Sequence, residues 1–104
     1  MNIGKLNKRI SLITNKVVGG EVILQTIIVW ACKKSVKQSE FYASYQVGLN
    51  LQMVFEVRTS AYKLSLVTDD TGEKRYAAQV TYDGTTYNII RTYELDDTVE
   101  IVCG

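Results

Sequence analysis

The chain has 104 residues, 46% of them hydrophobic and 22% charged, with a formal net charge of +1, so it is one domain with room for a single core. A charge this close to zero excludes a strong global field for nucleic acid or acidic lipid. The absence of histidine and proline removes the commonest general base, the commonest transition-metal ligand and any cis-proline turn.

No apolar run reaches the ~20 residues that cross a bilayer. The N-terminus lacks the apolar stretch of a signal peptide, so the expectation is a chain that stays in the cytosol. Cys32 and Cys103 lie far apart in sequence and read as small buried hydrophobes, not as a disulfide. Lys5, Lys8 and Arg9 make one end basic, and Asp96, Asp97 and Glu100 make the other acidic. Both clusters read as solvated strand ends.

In chain order, residues 1–8 are polar and basic and read as an arm or the lead-in to a strand. Arg9 to Thr14 places Ile10 and Leu12 on one face and Arg9 and Ser11 on the other, which predicts a strand. Gly19-Gly20 then marks a loop or turn. Glu21 to Lys34 is dense in β-branched residues, favouring a strand. Its two faces, Val22/Leu24/Thr26/Ile28/Trp30 and Ile23/Gln25/Ile27/Val29/Ala31, are both largely apolar. That suits a strand buried on both sides or one covered by a neighbouring subunit.

Ser39 to Val47 predicts a short helix, with Ser39 as N-cap and Glu40 in the first turn. Leu49 to Thr59 alternates as a strand, with Met53, Phe55 and Val57 inward, Glu56 and Arg58 outward, and Val54 as an exception. Tyr62 to Thr68 reads as a further strand or an irregular connection, and Asp69 to Lys74 as an exposed polar loop. Tyr76 to Tyr93 is a hairpin on Asp83-Gly84, a favoured pair for a type I′ turn. The register then follows: Tyr82 opposite Thr85, Val80 opposite Tyr87 and Ala78 opposite Ile89 on an apolar face. Thr81 faces Thr86 and Gln79 faces Asn88 on the polar one. Thr98 to Cys103 closes the chain with Val99, Ile101 and Cys103 on one face. The expected fold class is all-β with one short helix, a small antiparallel β-barrel or sandwich of about six strands.

Sites for chemistry are scarce. A nucleophilic Ser or Cys would lack its usual base, and an apolar strand around Cys32 disfavours its thiolate. Asp69-Asp70 and Asp96-Asp97 lack the alternating spacing of a calcium loop and read as turn carboxylates. Gly19-Gly20 lacks the spacing and the Lys-Ser/Thr ending of a phosphate loop. The chain is therefore expected not to be an enzyme, and no cofactor or metal is expected. Tyr42, Tyr45 and Tyr62, near Arg58 and Lys63, offer faces on which bases stack, but tyrosines on amphipathic strands usually belong to a core or an interface.

A series of short segments carries a resemblance. Ile3-Gly4-Lys5-Leu6-Asn7-Lys8-Arg9-Ile10, Gly19-Gly20, Val29-Trp30-Ala31, Ser39-Glu40-Phe41-Tyr42-Ala43, Val57-Arg58, Tyr82-Asp83-Gly84 and Tyr87-Asn88-Ile89 occur in that order. Together they resemble the head-tail adaptor, or head-closure (stopper), family of long-tailed bacteriophages across almost the whole chain. The chain departs from that pattern at Ile23 to Thr26, where the family often has a second tryptophan, and in Lys63 to Arg75, which is longer than usual.

The resemblance implies a small β-barrel that assembles as a ring, typically of twelve, in the virion neck. Such a ring sits beneath the portal and connector, above a tail-completion protein. It closes the channel after packaging and passes double-stranded DNA without reading its sequence. It also implies that Val36 to Asn50 approaches the channel, with Lys33, Lys34, Lys37, Glu40, Tyr42 and Tyr45 as candidate channel-facing residues. Ile23, Ile27 and Val29 are candidates for the subunit interface, and Lys5, Lys8 and Arg9 for contact with connector or tail. A tail-side completion or terminator ring, and a small nucleic-acid-binding barrel, are the alternatives.

Overall fold

The computed structural model describes residues 6–34 and 53–104. The strands are β1 (Lys8–Val18), β2 (Glu21–Lys34), β3 (Met53–Arg58), β4 (Val67–Thr68), β5 (Lys74–Arg75), β6 (Gln79–Tyr82), β7 (Thr85–Glu94) and β8 (Thr98–Cys103), with one helix, α1 (Thr59–Lys63), after β3. Six strands close an antiparallel barrel in the order β1-β2-β3-β8-β7-β6, and β4 pairs with β5 beside it. The predicted helix over Ser39–Val47, and the part of the third strand before Met53, lie outside the described residues.

The β6–β7 hairpin has the register that its turn dictates. Tyr82 pairs with Thr85, Thr81 with Thr86, Val80 with Tyr87 and Gln79 with Asn88. Asp83 and Gly84 both take positive φ, 51° and 79°, as a type I′ turn requires. On the polar face the Thr81 and Thr86 hydroxyls are 2.9 Å apart, and Gln79 Nε2 donates to Asn88 Oδ1 at 3.2 Å. The barrel closes where Ser11–Ile13 of β1 pairs with Gln79–Thr81 of β6.

The core is built from alternate residues of five strands: Ile10 and Leu12, Val29 and Ala31, Phe55 and Val57, Val80, and Val99, Ile101 and Cys103. Burial pushes the Cys103 thiol up to about 12, and both cysteines are free thiols. The connection after α1 is bonded to β1 and to the segment that leads into β6. Ser65 is buried there, its hydroxyl donating to the Tyr62 carbonyl and accepting from the Ala77 amide, while the Thr14 hydroxyl donates to the Ser65 carbonyl at 2.6 Å. Between Ile89 and Arg91 the β7–β8 register shifts by a bulge.

Three expectations need correcting. Glu56 and Glu100 are not solvated; both are buried, on a second face of β3 and β8 that also carries Val54, Thr98 and Val102. The third predicted strand stops at Arg58, and the chain turns into α1 instead of continuing through Thr59. Asp69 is buried, although its neighbours Asp70 to Lys74 are exposed, because it has partners on β1 and β5, described below.

The space around Gly84 is open, so a methyl group there meets only backbone strain. Gly84→Ala should destabilise the domain by about 1–2 kcal/mol, measured by urea denaturation, while Asp83→Asn should be close to neutral because Asn also tolerates positive φ.

Candidate assembly surface

The register of β1 against β2 decides which face of β2 looks outward. Ile10 pairs with Val29 and Leu12 with Ile27, whereas Arg9 pairs with Trp30 and Ser11 with Ile28. Val29 is therefore in the core and Ile27 packs against it. The opposite face carries Val22, Leu24, Ile28 and Trp30, at 63%, 60%, 67% and 51% exposure. Ile23, near the ribbon tip, is also exposed. Of the three residues expected at a subunit interface, Ile23 alone is well exposed; Val29 and Ile27 face inward because their β1 partners do.

A groove of about 690 Å³ runs between β2 and α1, with Ile28 and Trp30 on one wall and Ala61 and Leu64 on the other; Arg58 and Leu6 lie along it. Arg9 is laid over the Trp30 ring at 4.8 Å from its centroid, a cation–π contact that holds the indole against the ribbon. Lys8 is exposed at the start of β1. Lys5 lies outside the described residues. The part played by Arg58, Ala61 and Leu64 was not foreseen, since they come together with β2 only through the turn into α1.

The candidate channel lysines divide. Lys33 is exposed, with its ammonium 5.6 Å from the centroid of the Tyr82 ring. Lys34 is tied down: its Nζ lies 2.6 Å from Glu100 Oε2 and 3.3 Å from Glu56 Oε1. The Thr98 hydroxyl donates to Glu56 Oε2 at 2.6 Å. Burial alone would lower the pKa of Lys34, but the hydrogen bonds and charges of Glu100 and Glu56 outweigh it and raise the pKa above the ordinary 10.5. Lys37, Glu40, Tyr42 and Tyr45 lie outside the described residues. Tyr62, considered above as a stacking platform, is already stacked on Tyr76 at 5.0 Å.

A second polar cluster holds the far end of the β1–β2 ribbon. Asp69 Oδ1 accepts from the Val17 amide at 2.9 Å, its Oδ2 from Arg75 Nε at 2.8 Å, and Asp70 Oδ2 from the Gly19 amide at 2.8 Å. The Arg75 side chain and then the Val17 amide hold the Asp69 carboxyl below its ordinary 3.8. The contacts to Val17 and Gly19 span about half the chain, so reading Asp69-Asp70 as a local turn motif could not reveal them.

Among the described residues no group of three or more His, Cys, Asp or Glu side chains could hold a metal ion. What the surface offers is a place to dock. A closed barrel with an uncharged apolar stripe and an adjoining groove has the make-up of an assembly module. Comparison with protein families agrees with that class and makes it specific: the family described as phage head completion protein matches residues 1–103, and the chain belongs to it. It is thus a structural protein of phage head assembly and a virion component near the head. No curated protein and no solved structure matches the chain.

Two outcomes follow from the polar clusters. Lys34→Ala removes the ammonium that Glu56 and Glu100 share and should cost about 3 kcal/mol in chemical denaturation. Because the folded pKa of Lys34 is raised, the stability it contributes is fully present below pH 10.5 and is lost as pH rises through the folded value. Asp69→Asn should lower the melting temperature. The gap between wild type and variant should hold above pH 3.8 and close as pH falls through the depressed folded pKa of Asp69.

Proposed function

We propose that the protein is a neck protein. In this reading copies of the chain form a ring beneath the portal or connector, close the DNA channel after packaging and present a platform to the tail-completion protein. Assembly takes place in the host cytoplasm, and the ring has about twelve subunits, as closed rings of heterologous interfaces allow. The observation that carries the reading is the exposed stripe Val22/Leu24/Ile28/Trp30 on an otherwise closed barrel, within a chain whose family completes phage heads. An apolar stripe of this kind marks an interaction surface, and it replaces Ile27 and Val29 as the proposed subunit contact.

The chain's charge also fits. A ring that holds DNA back and later lets it slide is served poorly by tight phosphate binding, and the net charge is only +1. The segment 36–50 is proposed to reach the channel. Lys33, exposed and set against the Tyr82 ring, precedes that segment, while Lys34 is held by Glu56 and Glu100.

The test uses DNA-filled, tailless heads from a phage lacking this protein. Purified protein is added, the heads are sedimented, and bound protein and retained DNA are both assayed. Co-sedimentation with improved retention is expected, and Ile28→Asp, a change on the exposed stripe, should abolish retention without unfolding the barrel. Binding to purified tails, with neither binding to heads nor retention of DNA, would overturn the reading in favour of a tail-side ring.

A further inference from the structure

The ribbon formed by β1 and β2 has two edges, and the chain treats them differently. On the β1 side, Asp69 and Asp70 take the Val17 and Gly19 amides, and the Asp70 amide points at the Val17 carbonyl at 3.5 Å. On the β2 side, β3 pairs only with Ala31 to Lys34. Among the described residues no strand pairs with that edge from Glu21 to Trp30. Because Val18 pairs with Glu21 across a two-residue turn, antiparallel alternation points the amides and carbonyls of Val22, Leu24, Thr26, Ile28 and Trp30 away from β1. Natural edges of this length are usually blunted by charge, proline or a bulge. Residues 22–32 contain neither charge nor proline, and the β1–β2 register runs unbroken.

We propose that this edge pairs with the same edge of a second copy, antiparallel, about a two-fold axis at Thr26. Thr26 is the midpoint of the open run from Val22 to Trp30. In that register Val22 lies opposite Trp30, Leu24 opposite Ile28, and Thr26 opposite itself, so the two ribbons form one four-stranded sheet. The groove lies where such a pairing needs it. Val22 and Leu24 of one copy come to lie beside Ile28 and Trp30 of the other, against the wall formed by Ala61 and Leu64, and the symmetry repeats this seat on the other side. At the exposures given above, Val22, Leu24, Ile28 and Trp30 can lose at most roughly 450 Å² per copy, about 900 Å² per pair, which places the interface at the small end, below the ~1,000 Å² of a specific one. This pairing does not depend on the neck reading. It occupies the edge that a ring would use, so it describes the free protein and opens on assembly.

The test is sedimentation velocity of the full chain over a range of concentrations. A monomer–dimer equilibrium with a dissociation constant on the order of micromolar is expected for this area. Thr26→Arg sets like charges across the axis and should weaken association at least about tenfold. It should leave thermal unfolding at dilute concentration unchanged, because Thr26 is exposed. Thr26→Cys in a Cys32→Ser background should form a disulfide-linked dimer on oxidation, since directly opposed residues lie about 5.5 Å apart, while a Thr85→Cys control should not. A wild-type chain that stays monomeric throughout, together with a Thr26→Cys variant that forms no disulfide-linked dimer, would overturn the proposal and leave the edge to another virion protein. A dimer indifferent to Thr26→Arg would overturn it equally by placing the interface elsewhere. Either result leaves the head-binding experiment to be decided by its own readout.

Discussion

The constraint on which this structure rests is the point at which β3 ends. Among the described residues β2 runs over Glu21–Lys34, whereas β3 stops at Arg58, where the chain turns into α1. A closed barrel gives every strand a ladder on both edges, and among the described residues the ladder of β3 on β2 starts at Ala31 and does not reach back to Glu21–Trp30. The remainder of β2 leaves the barrel with β1 as a ribbon. The clasp by Asp69 and Asp70, the groove against α1 and the exposed apolar stripe all depend on that departure. Without a ribbon there would be no overhang to clasp and no wall opposite α1.

Local rules made part of this legible in the sequence. The β6–β7 hairpin followed from Asp83-Gly84 and the alternation on either side, because a two-residue turn fixes the register. The bounds of β2 followed from its unbroken β-branched run. Its orientation did not, since both faces are apolar and a single strand cannot say which one meets the core. The signal lay one step away. Extending the same turn arithmetic to Gly19-Gly20 pairs Arg9 with Trp30 and Ile10 with Val29, and a charged partner sends Trp30 outward. Glu56 and Glu100 were misplaced for a different reason. Alternation assumes water on the far side of a strand, and on β3 and β8 that side is covered. Val54, the break in the pattern, was the local hint.

The polar cluster at the end of β2 shows what such burial requires. Glu56 and Glu100 face each other across β3 and β8, an arrangement that like charges oppose unless a cation joins them. Lys34 is that cation, and it is also the residue from which the chain leaves β2. A two-residue slip between β3 and β8 would keep every apolar side chain on its proper face. It would also move Glu56 from its place opposite Glu100 to one opposite Thr98 or Val102, and so disturb the contact that Lys34 makes with both carboxylates. The apolar pattern therefore sets which face is inside, and the ionic cluster distinguishes between registers that the pattern alone leaves equivalent.

The bulge at Ile90 has a comparable effect on parity. Ile89 pairs with Cys103 and Thr92 with Ile101, so the inward positions of β7 change from odd to even numbers across it, and Arg91 stays exposed opposite Val102. Were the same residues to run on without the bulge, Ile90 would take the place opposite Val102 and Arg91 the place opposite Ile101. Such a β7 would alternate without interruption, and that regularity would turn the guanidinium of Arg91 into the lumen of the barrel. At this point the irregular strand is the one compatible with a dry interior, and the cleaner pattern is the one that cannot fold.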